Sequence, residues 1–427
     1  MASLKLLILQ IGTILIVARL VGWLFGKIHQ PRVVGEMVAG ILLGPSLLGW
    51  LAPNISAHIF PAASLGHLNS LSLVGLVIFM FLVGLELDLG HLRELGRAAV
   101  MTSQVSIIVP FVFGAAFAFH LYPDFAPPGV SFTGFALFMG AAMSVTAFPV
   151  LARILTERKM LKTSVGSVAI ACAAVDDVTA WCILAAIVVI VRASSLEIPV
   201  WLTVGGLLAF VLCMGYVVRP ALRRLEMVYE KRGMLTQDLI AIILLVVLGS
   251  GLITEALGVH ALFGAFLAGV IMPRHPRLSA ELTQKFESLI VVLLLPIYFA
   301  LTGLRSSIFL ISDATLWVYC AVIIVLAVVG KLGGSMISTR LNGMSWRESA
   351  SVGILMNTRG LVELVILNIG LDLGILTPAL FSIMVLMALI TTLMTTPLIR
   401  IVYPEQYYDN RASDRVEGEA MNFDQPA

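Results

Sequence analysis

Two adjacent carboxylates, Asp176 and Asp177, sit in the middle of an otherwise apolar run over residues 163–191. The run is long enough to cross a bilayer as a helix. On the insertion scale an Asp at a helix centre costs roughly 2.5–3.5 kcal/mol, so the pair costs about 5–7 kcal/mol. Carboxylates kept at that cost read as a site that binds a cation or a proton at membrane depth. The plainer alternative is a pair that only hydrogen-bonds neighbouring helices. Carboxylate, hydroxyl and carbonyl oxygens suit a hard cation such as sodium. A buried carboxylate is costly when charged and unpaired, so it holds a cation or a proton in turn. Sequence neighbours on a helix point about 100° apart. They cannot face each other across a cleft as an aspartic-protease dyad does, which argues against intramembrane proteolysis. The chain has no HExxH zinc-protease motif, and it has neither a P-loop nor GxGxxG. Nothing in it reads as an enzyme or an ATP-driven pump.

Other charges lie within apolar runs. Lys331, in VGKLGGS over 329–335, is the only Lys in a span interior. It must have an anionic partner or lose its proton, and the small residues around it allow close helix approach. Arg359 and Glu363 are four residues apart, so one helical turn would pair them. Glu36 and Arg19 read as a second structural pair, whereas Glu86, Asp88 and Glu255 fall near span ends and read as solvated. Two segments carry helix-breaking residues at membrane depth. GAAMSVTAFP over 140–149 ends on Pro149, which lacks an N–H and disfavours helix just before itself. Asn357, Thr358, Arg359 and Gly360 together suggest unwound backbone facing a protected cavity.

The elements that must position these residues follow from composition. Of 427 residues, 59% are hydrophobic and 12% charged, and the mean hydropathy is +1.01. Soluble domains carry about 25% charged residues, so this composition predicts an all-α, polytopic membrane protein. Thirteen apolar runs are expected as spans: 4–26, 33–51, 67–87, 98–120, 133–154, 164–191, 200–218, 237–256, 259–273, 287–304, 313–338, 350–370 and 376–399. The first is too long for a signal peptide and reads as a span. With that count, 21 of the 27 Lys and Arg fall on one side, and only Lys5, Arg192 and Arg305 on the other. The excess places the N-terminus outside and the C-terminus in the cytoplasm. Cys172, Cys182, Cys213 and Cys320 lie in apolar runs and read as packing residues.

An internal repeat is also visible. AGILLGP over 39–45 matches AGVIMP over 268–273, and FLVGLE over 81–86 matches ALTGLR over 300–305. Each match pairs a span with the one seven later. Seven is odd, so the halves must be inverted in the membrane, as in secondary transporters. The breaks at Pro149 and at 357–360 are likewise seven spans apart. The expected divisions are a first repeat over 1–193, a connecting span with a charged, partly helical linker over 194–236, a second repeat over 237–401, and a polar cytoplasmic tail over 402–427.

These motifs resemble the monovalent cation:proton antiporter-2 family of bacterial sodium/proton and potassium/proton exchangers and their plant relatives. The resemblance rests on PRVVGEMVAGILLGPSLLG (31–49), FLVGLEL (81–87), SVTAFPVLARIL (144–155), AVDDV (174–178), HALFGAFLAG (260–269), GK (330–331) and MNTRGLVEL (356–364). It implies the sodium/proton antiporter fold, with broken helices crossing at their unwound middles. It also implies a homodimer in the bacterial plasma membrane, with a dimerisation scaffold of spans one to three and eight to ten. The mobile core would be spans four to six and eleven to thirteen. Asp177 would be the main cation- and proton-binding residue, with Asp176 beside it as a second ligand. Asp176 would be salt-bridged to Lys331, and Thr146 would stand at the break close to the ion. The alternative partners for Lys331 are Glu363 and the surface. The transported species would be sodium, lithium or potassium against protons, with no resident cofactor and no nucleic acid. Nucleotide gating within this chain is not expected, since about 27 residues follow the last span. The Asp pair leans towards electrogenic sodium exchange. The alternatives are potassium/proton exchange and, from other classes, a cation channel or a non-transporting membrane sensor.

Overall fold

The computed structural model describes residues 4–86, 96–161, 163–192, 200–273, 275–404 and 407. Asp88, the loop residues Arg93, Lys162 and Arg274, and the tail from 408 with Arg411 and Arg415 lie outside the described residues. Regular structure among the described residues is helical throughout. Helices satisfy every backbone N–H and C=O internally, which hydrocarbon surroundings demand.

In chain order the long helices are α1 (Leu4–Lys27), α2 (Arg32–Leu43), α3 (Ala62–Glu86), α4 (Gly96–Phe125), α5 (Phe132–Ser144), α6 (Phe148–Glu157), α7 (Ser164–Arg192) and α8 (Trp201–Arg232). They continue as α9 (Gln237–Ala256), α10 (Ala261–Ile271), α11 (276–305), α12 (Ala314–Leu341), α13 (Trp346–Met356), α14 (Leu361–Asp372) and α15 (Pro378–Val402).

Each of the thirteen expected runs falls on helix, but the span count is lower by length. Eleven helical stretches among the described residues are long and apolar enough to cross, and the bent pair α13–α14 makes a twelfth. The remaining one, α10, has 11 residues. At 1.5 Å per residue it reaches only about 16 Å into a core of about 30 Å. Within the expected linker, α8 runs on as one helix from the apolar run to Arg232 and 233–236 are not helical. Lys231 and Arg232 occupy its last turn and Gly233, with φ 70, closes it.

The two halves meet on small residues. Helix α2 packs along α11, and α3 along α10. A Cβ on Gly40 would collide with the Phe299 carbonyl, and one on Gly303 with the Gly40 backbone. A Cβ on Gly84 would collide with the Phe266 carbonyl, and one on Gly269 with the Phe81 carbonyl and the Gly84 backbone. In the sequence repeat, Gly40 corresponds to Gly269 and Gly84 to Gly303. The same contact is therefore made twice with its partners exchanged, as a two-fold axis relating two inverted halves requires. Away from these seams the outer faces are apolar and exposed, with Leu245, Leu252 and Trp201 each at least 70% accessible. In water such a girdle would drive aggregation, but in a bilayer it is the solvated face.

Candidate ion-binding site

Two interrupted helices build the site. Helix α5 starts on Ser131, whose hydroxyl accepts the Gly134 N–H at 3.1 Å, and stops at Ser144. The chain is unwound over 145–147 and resumes as α6. Pro149 lies in the first turn of α6, where its missing N–H costs nothing. Helix α13 opens with a capping box between Ser345 and Glu348 and ends at Met356. Residues 358–360 are unwound, and α14 departs at 42° to α13. The two breaks meet directly. The Ala147 N–H donates to the Thr358 carbonyl at 3.0 Å. Gly360 has φ 167, an ordinary extended conformation, so its torsion does not require glycine. Space does: a Cβ there would lie 2.6 Å from Val150 Cγ2.

Breaking a helix exposes carbonyls at the C-terminal end of its first half, the negative pole of the helix dipole. Two buried cations occupy that pole of α5. Arg359 donates to the Ala142 and Met143 carbonyls at 3.0 and 2.6 Å. Lys331 donates to the Ser144 carbonyl. Arg359 stands in the unwound segment just before α14, and it makes the expected ion pair with Glu363. Its Nη1 lies 3.1 Å from Glu363 Oε1, but neither oxygen of Glu363 is aligned for a hydrogen bond. Helix α15 braces the same break. Thr392 Oγ1 accepts the Arg359 N–H at 3.0 Å and lies 2.8 Å from the Arg359 carbonyl oxygen. Thr358 Oγ1 is 3.4 Å from Thr395 Oγ1. The Asn357 amide nitrogen contacts only the Met394 sulfur, at 3.9 Å, and its oxygen is buried without a partner.

The two aspartates have opposite surroundings. Asp176 is fully buried and saturated with donors. Lys331 Nζ stands 2.7 Å from Oδ2, Ser103 Oγ 2.6 Å from Oδ1, and Ser106 Oγ 3.0 and 3.1 Å from the two oxygens. Thr146 Oγ1 lies 2.9 Å from both Asp176 Oδ2 and the Met356 carbonyl oxygen, and with one proton it donates to one of them at a time. Lys331 reaches this position from a π turn, Val329–Gly333, inside α12. Its partner is Asp176, and neither Glu363 nor the surface. Asp177 is equally buried, yet neither of its oxygens has a hydrogen-bond partner. The Phe148 N–H, first of α6, faces it from outside hydrogen-bonding geometry. Leaving a buried charge bare costs several kcal/mol, and a cation or a proton relieves that cost.

Ser103 and Ser106 were not singled out in the sequence, nor were Thr392 and Thr395. The available signal was helical spacing, three residues apart in α4 and three in α15, within otherwise apolar runs. The other charges fall as expected. Arg19 and Glu36 pair at 3.4 Å, and Glu86 and Glu255 are exposed.

A cavity of about 640 Å³ leads towards the breaks, touching Pro149, Val150 and Leu361. Its mouth carries Glu36, Glu86 and Glu287, at the Lys/Arg-rich end of the molecule. At the opposite end Arg305 joins α11 to α14, with Nη1 2.9 Å from Asp372 and 3.1 Å from Asn368. Asn368 in turn donates to the Tyr298 hydroxyl and Thr302, each at 3.0 Å.

Comparison with known proteins places this geometry. Residues 14–402 match the family model described as sodium/hydrogen exchanger, transmembrane. The chain is 42% identical over 403 residues to the Na(+)/H(+) antiporter NhaS4 of Synechocystis sp., covering 94% of this chain and 98% of that protein. It is 42% identical over 402 residues to cation/H(+) antiporter 17 of Arabidopsis thaliana, and 34% over 418 residues to K(+)/H(+) antiporter 1 of Saccharomyces cerevisiae. The chain spans about half the length of those two, 49% and 47%. Among solved structures, the sodium proton antiporter MjNhaP1 of Methanocaldococcus jannaschii superposes with a TM-score of 0.64 at 14% identity, over 92% of this chain and 96% of that one. That likeness is one of fold. With crossed broken helices, a buried Asp pair and a family match over most of its length, the chain belongs to the transmembrane sodium/hydrogen exchanger family.

Proposed function

We propose that this protein exchanges a monovalent cation, sodium or lithium first, for protons, with Asp177 as the site that cation and proton share. One observation carries the reading: a fully buried carboxylate without any hydrogen bond stands beside one saturated by four donor groups. Asp176 is held in place, and Asp177 is left with free lone pairs. The core reorients when Asp177 holds a cation or a proton, and stalls when the carboxylate is bare. Exchange follows from that rule without ATP. Thr146 and Asp176 supply further oxygens to the cation, while Lys331, Arg359 and Glu363 set the local charge. Helices α1–α3 and α9–α11 form the scaffold, α4–α7 and α12–α15 the mobile core, and α8 the connection. The glycine seams lie within that scaffold and the buried ion pairs of the breaks within that core, which supports the division. The molecule works as a homodimer in the bacterial plasma membrane, N-terminus outside, and the 640 Å³ cavity admits cytoplasmic cations. The Synechocystis relative, matched over 98% of its length, carries sodium in its name.

The test is pH-gradient dissipation in proteoliposomes, titrated with sodium, lithium and potassium. Asp177→Asn should abolish cation-dependent proton exchange and leave the protein folded, because an amide neither releases a proton nor supplies anionic charge. Wild-type-like exchange by this variant would move the site elsewhere. A response to potassium alone would reassign the substrate.

A further inference from the structure

A second cavity, of about 590 Å³, lies at the Lys/Arg-rich end; it shares Arg153 and Glu157 with the cavity that leads towards the breaks, but none of the ion-site residues line it. Five fixed cations line it, Lys27, Arg32, Arg153, Arg158 and Arg400, against the single carboxylate of Glu157. They come from α1, the first residue of α2, α6 and its end, and α15. Glu157 already faces Arg153, at 3.3 Å from its Nε. The positive-inside bias accounts for basic residues at this end of the membrane, but it does not require them to gather around one hollow. Gathering them raises mutual repulsion, which an anion in the hollow would offset. Arginine forks suit phosphate oxygens, and Arg32 opens a helix whose N-terminal N–H groups favour anions. The wall also reaches the lipid. Trp23 lines the cavity and is 53% exposed, and its neighbours Leu20 and Leu24 on α1 and Ile28 just beyond it are exposed as well. Apolar residues and a Trp at a helix end mark the headgroup level of a bilayer.

We infer that this cavity binds a phosphate-bearing anion, from an anionic phospholipid headgroup or a soluble phosphate compound, between Arg32 of α2 and Arg400 of α15. The site bridges two bodies. Gln30, in the turn between α1 and α2, already donates from its side chain to the Leu393 carbonyl of α15 at 3.1 Å. An anion held there ties the scaffold to the core and favours this conformation; that consequence rests on the antiport reading, whereas the binding itself does not.

Purified full-length protein is titrated with phosphatidylglycerol, with phosphatidylcholine as reference, and separately with inorganic pyrophosphate, and bound species are counted by native mass spectrometry. The wild type should prefer at least one anionic probe over the reference. Arg32→Gln with Arg400→Gln should weaken that binding about tenfold. Arg223→Gln with Arg224→Gln removes the same charge from α8, outside the cavity, and should leave binding intact. If the first pair melts early, Lys27→Gln carries the same expectation of weakened binding. Dependence on phosphatidylglycerol identifies a lipid headgroup, and dependence on pyrophosphate alone identifies a soluble anion. No preference for either probe, or equal losses in both double variants, overturns the site. Because binding is read without transport, failure of the exchange assay leaves this result independent.

Discussion

Asp176 and Asp177 share one chemistry and one helix, and their neighbours divide them. Asp176 spends its lone pairs on Ser103, Ser106, Thr146 and Lys331; Asp177 faces none of them. The ammonium of Lys331 is therefore tied to the site's fixed carboxylate rather than to its free one. If a cation binds Asp177 as proposed and draws on Asp176, the Lys331 pair would loosen and a second proton could leave. Exchange of two protons for one cation carries net charge, and each charge moved is worth about 2.3 kcal/mol per 100 mV. We predict that Lys331→Gln retains exchange in electroneutral form. The reversal potential in proteoliposomes clamped with potassium and valinomycin, using sodium or lithium as substrate, reads this directly. Voltage-independent exchange by the wild type would sink the two-proton scheme, and an unchanged voltage dependence in the variant would sink the role of the lysine.

At the scale of elements, interruption and close approach do different work. The breaks after Ser144 and Met356 free carbonyls and amides to meet cations and each other. The glycine seams let α2 reach α11 and α3 reach α10, backbone to backbone. No flexible side-chain end can give way there, so an added methyl group must separate helices. Gly303→Ala is expected to lose about 1–3 kcal/mol, the usual range for overpacking, seen as a lower melting temperature in detergent. Gly249→Ala in α9 has nothing within 4 Å of its Cβ and serves as the comparison. It should stay within about 1 kcal/mol of wild type. Equal melting of the two variants would show that the seam tolerates separation.

One end of the molecule holds a large cavity, and at the other a polar network bridges α11 and α14. The 640 Å³ cavity reaches the breaks from the Lys/Arg-rich end. Opposite, Arg305, Asp372, Asn368, Tyr298 and Thr302 join α11 to α14. On the proposed antiport reading, alternating access needs this network to part. Arg305→Gln removes the ion pair, so the outward-open population should rise. In a background without the four native cysteines, a cysteine placed at Asn69 of α3, which lines the same hollow as Arg305 and Asp372, should then react faster with an impermeant maleimide added from the N-terminal side. An unchanged rate would show that the ion pair does not hold the gate. Reporters fused at the two ends should read external at the N-terminus and cytoplasmic after Ala427; both on one side would contradict an odd number of crossings.

Much of this was legible in one dimension because burial cost is local. A charge inside an apolar run announces itself wherever it later packs, and so do Pro149 and the polar stretch at 357–360. The lengths of apolar runs set the helices, and the odd spacing of two short repeats required inverted halves. Length also sets α10 apart, since its 11 helical residues are fewer than the apolar run 259–273. The family resemblance pointed to Asp177, but the residues by themselves did not say which aspartate would be free. That depends on Ser103 and Ser106, 73 and 70 residues away, and on Lys331, 155 residues away. Hydroxyls inside apolar helices are common and cheap to bury, so their types alone do not mark them. Only packing of α4, α7 and α12 around the crossed breaks aims those donors at Asp176 and leaves Asp177 without one.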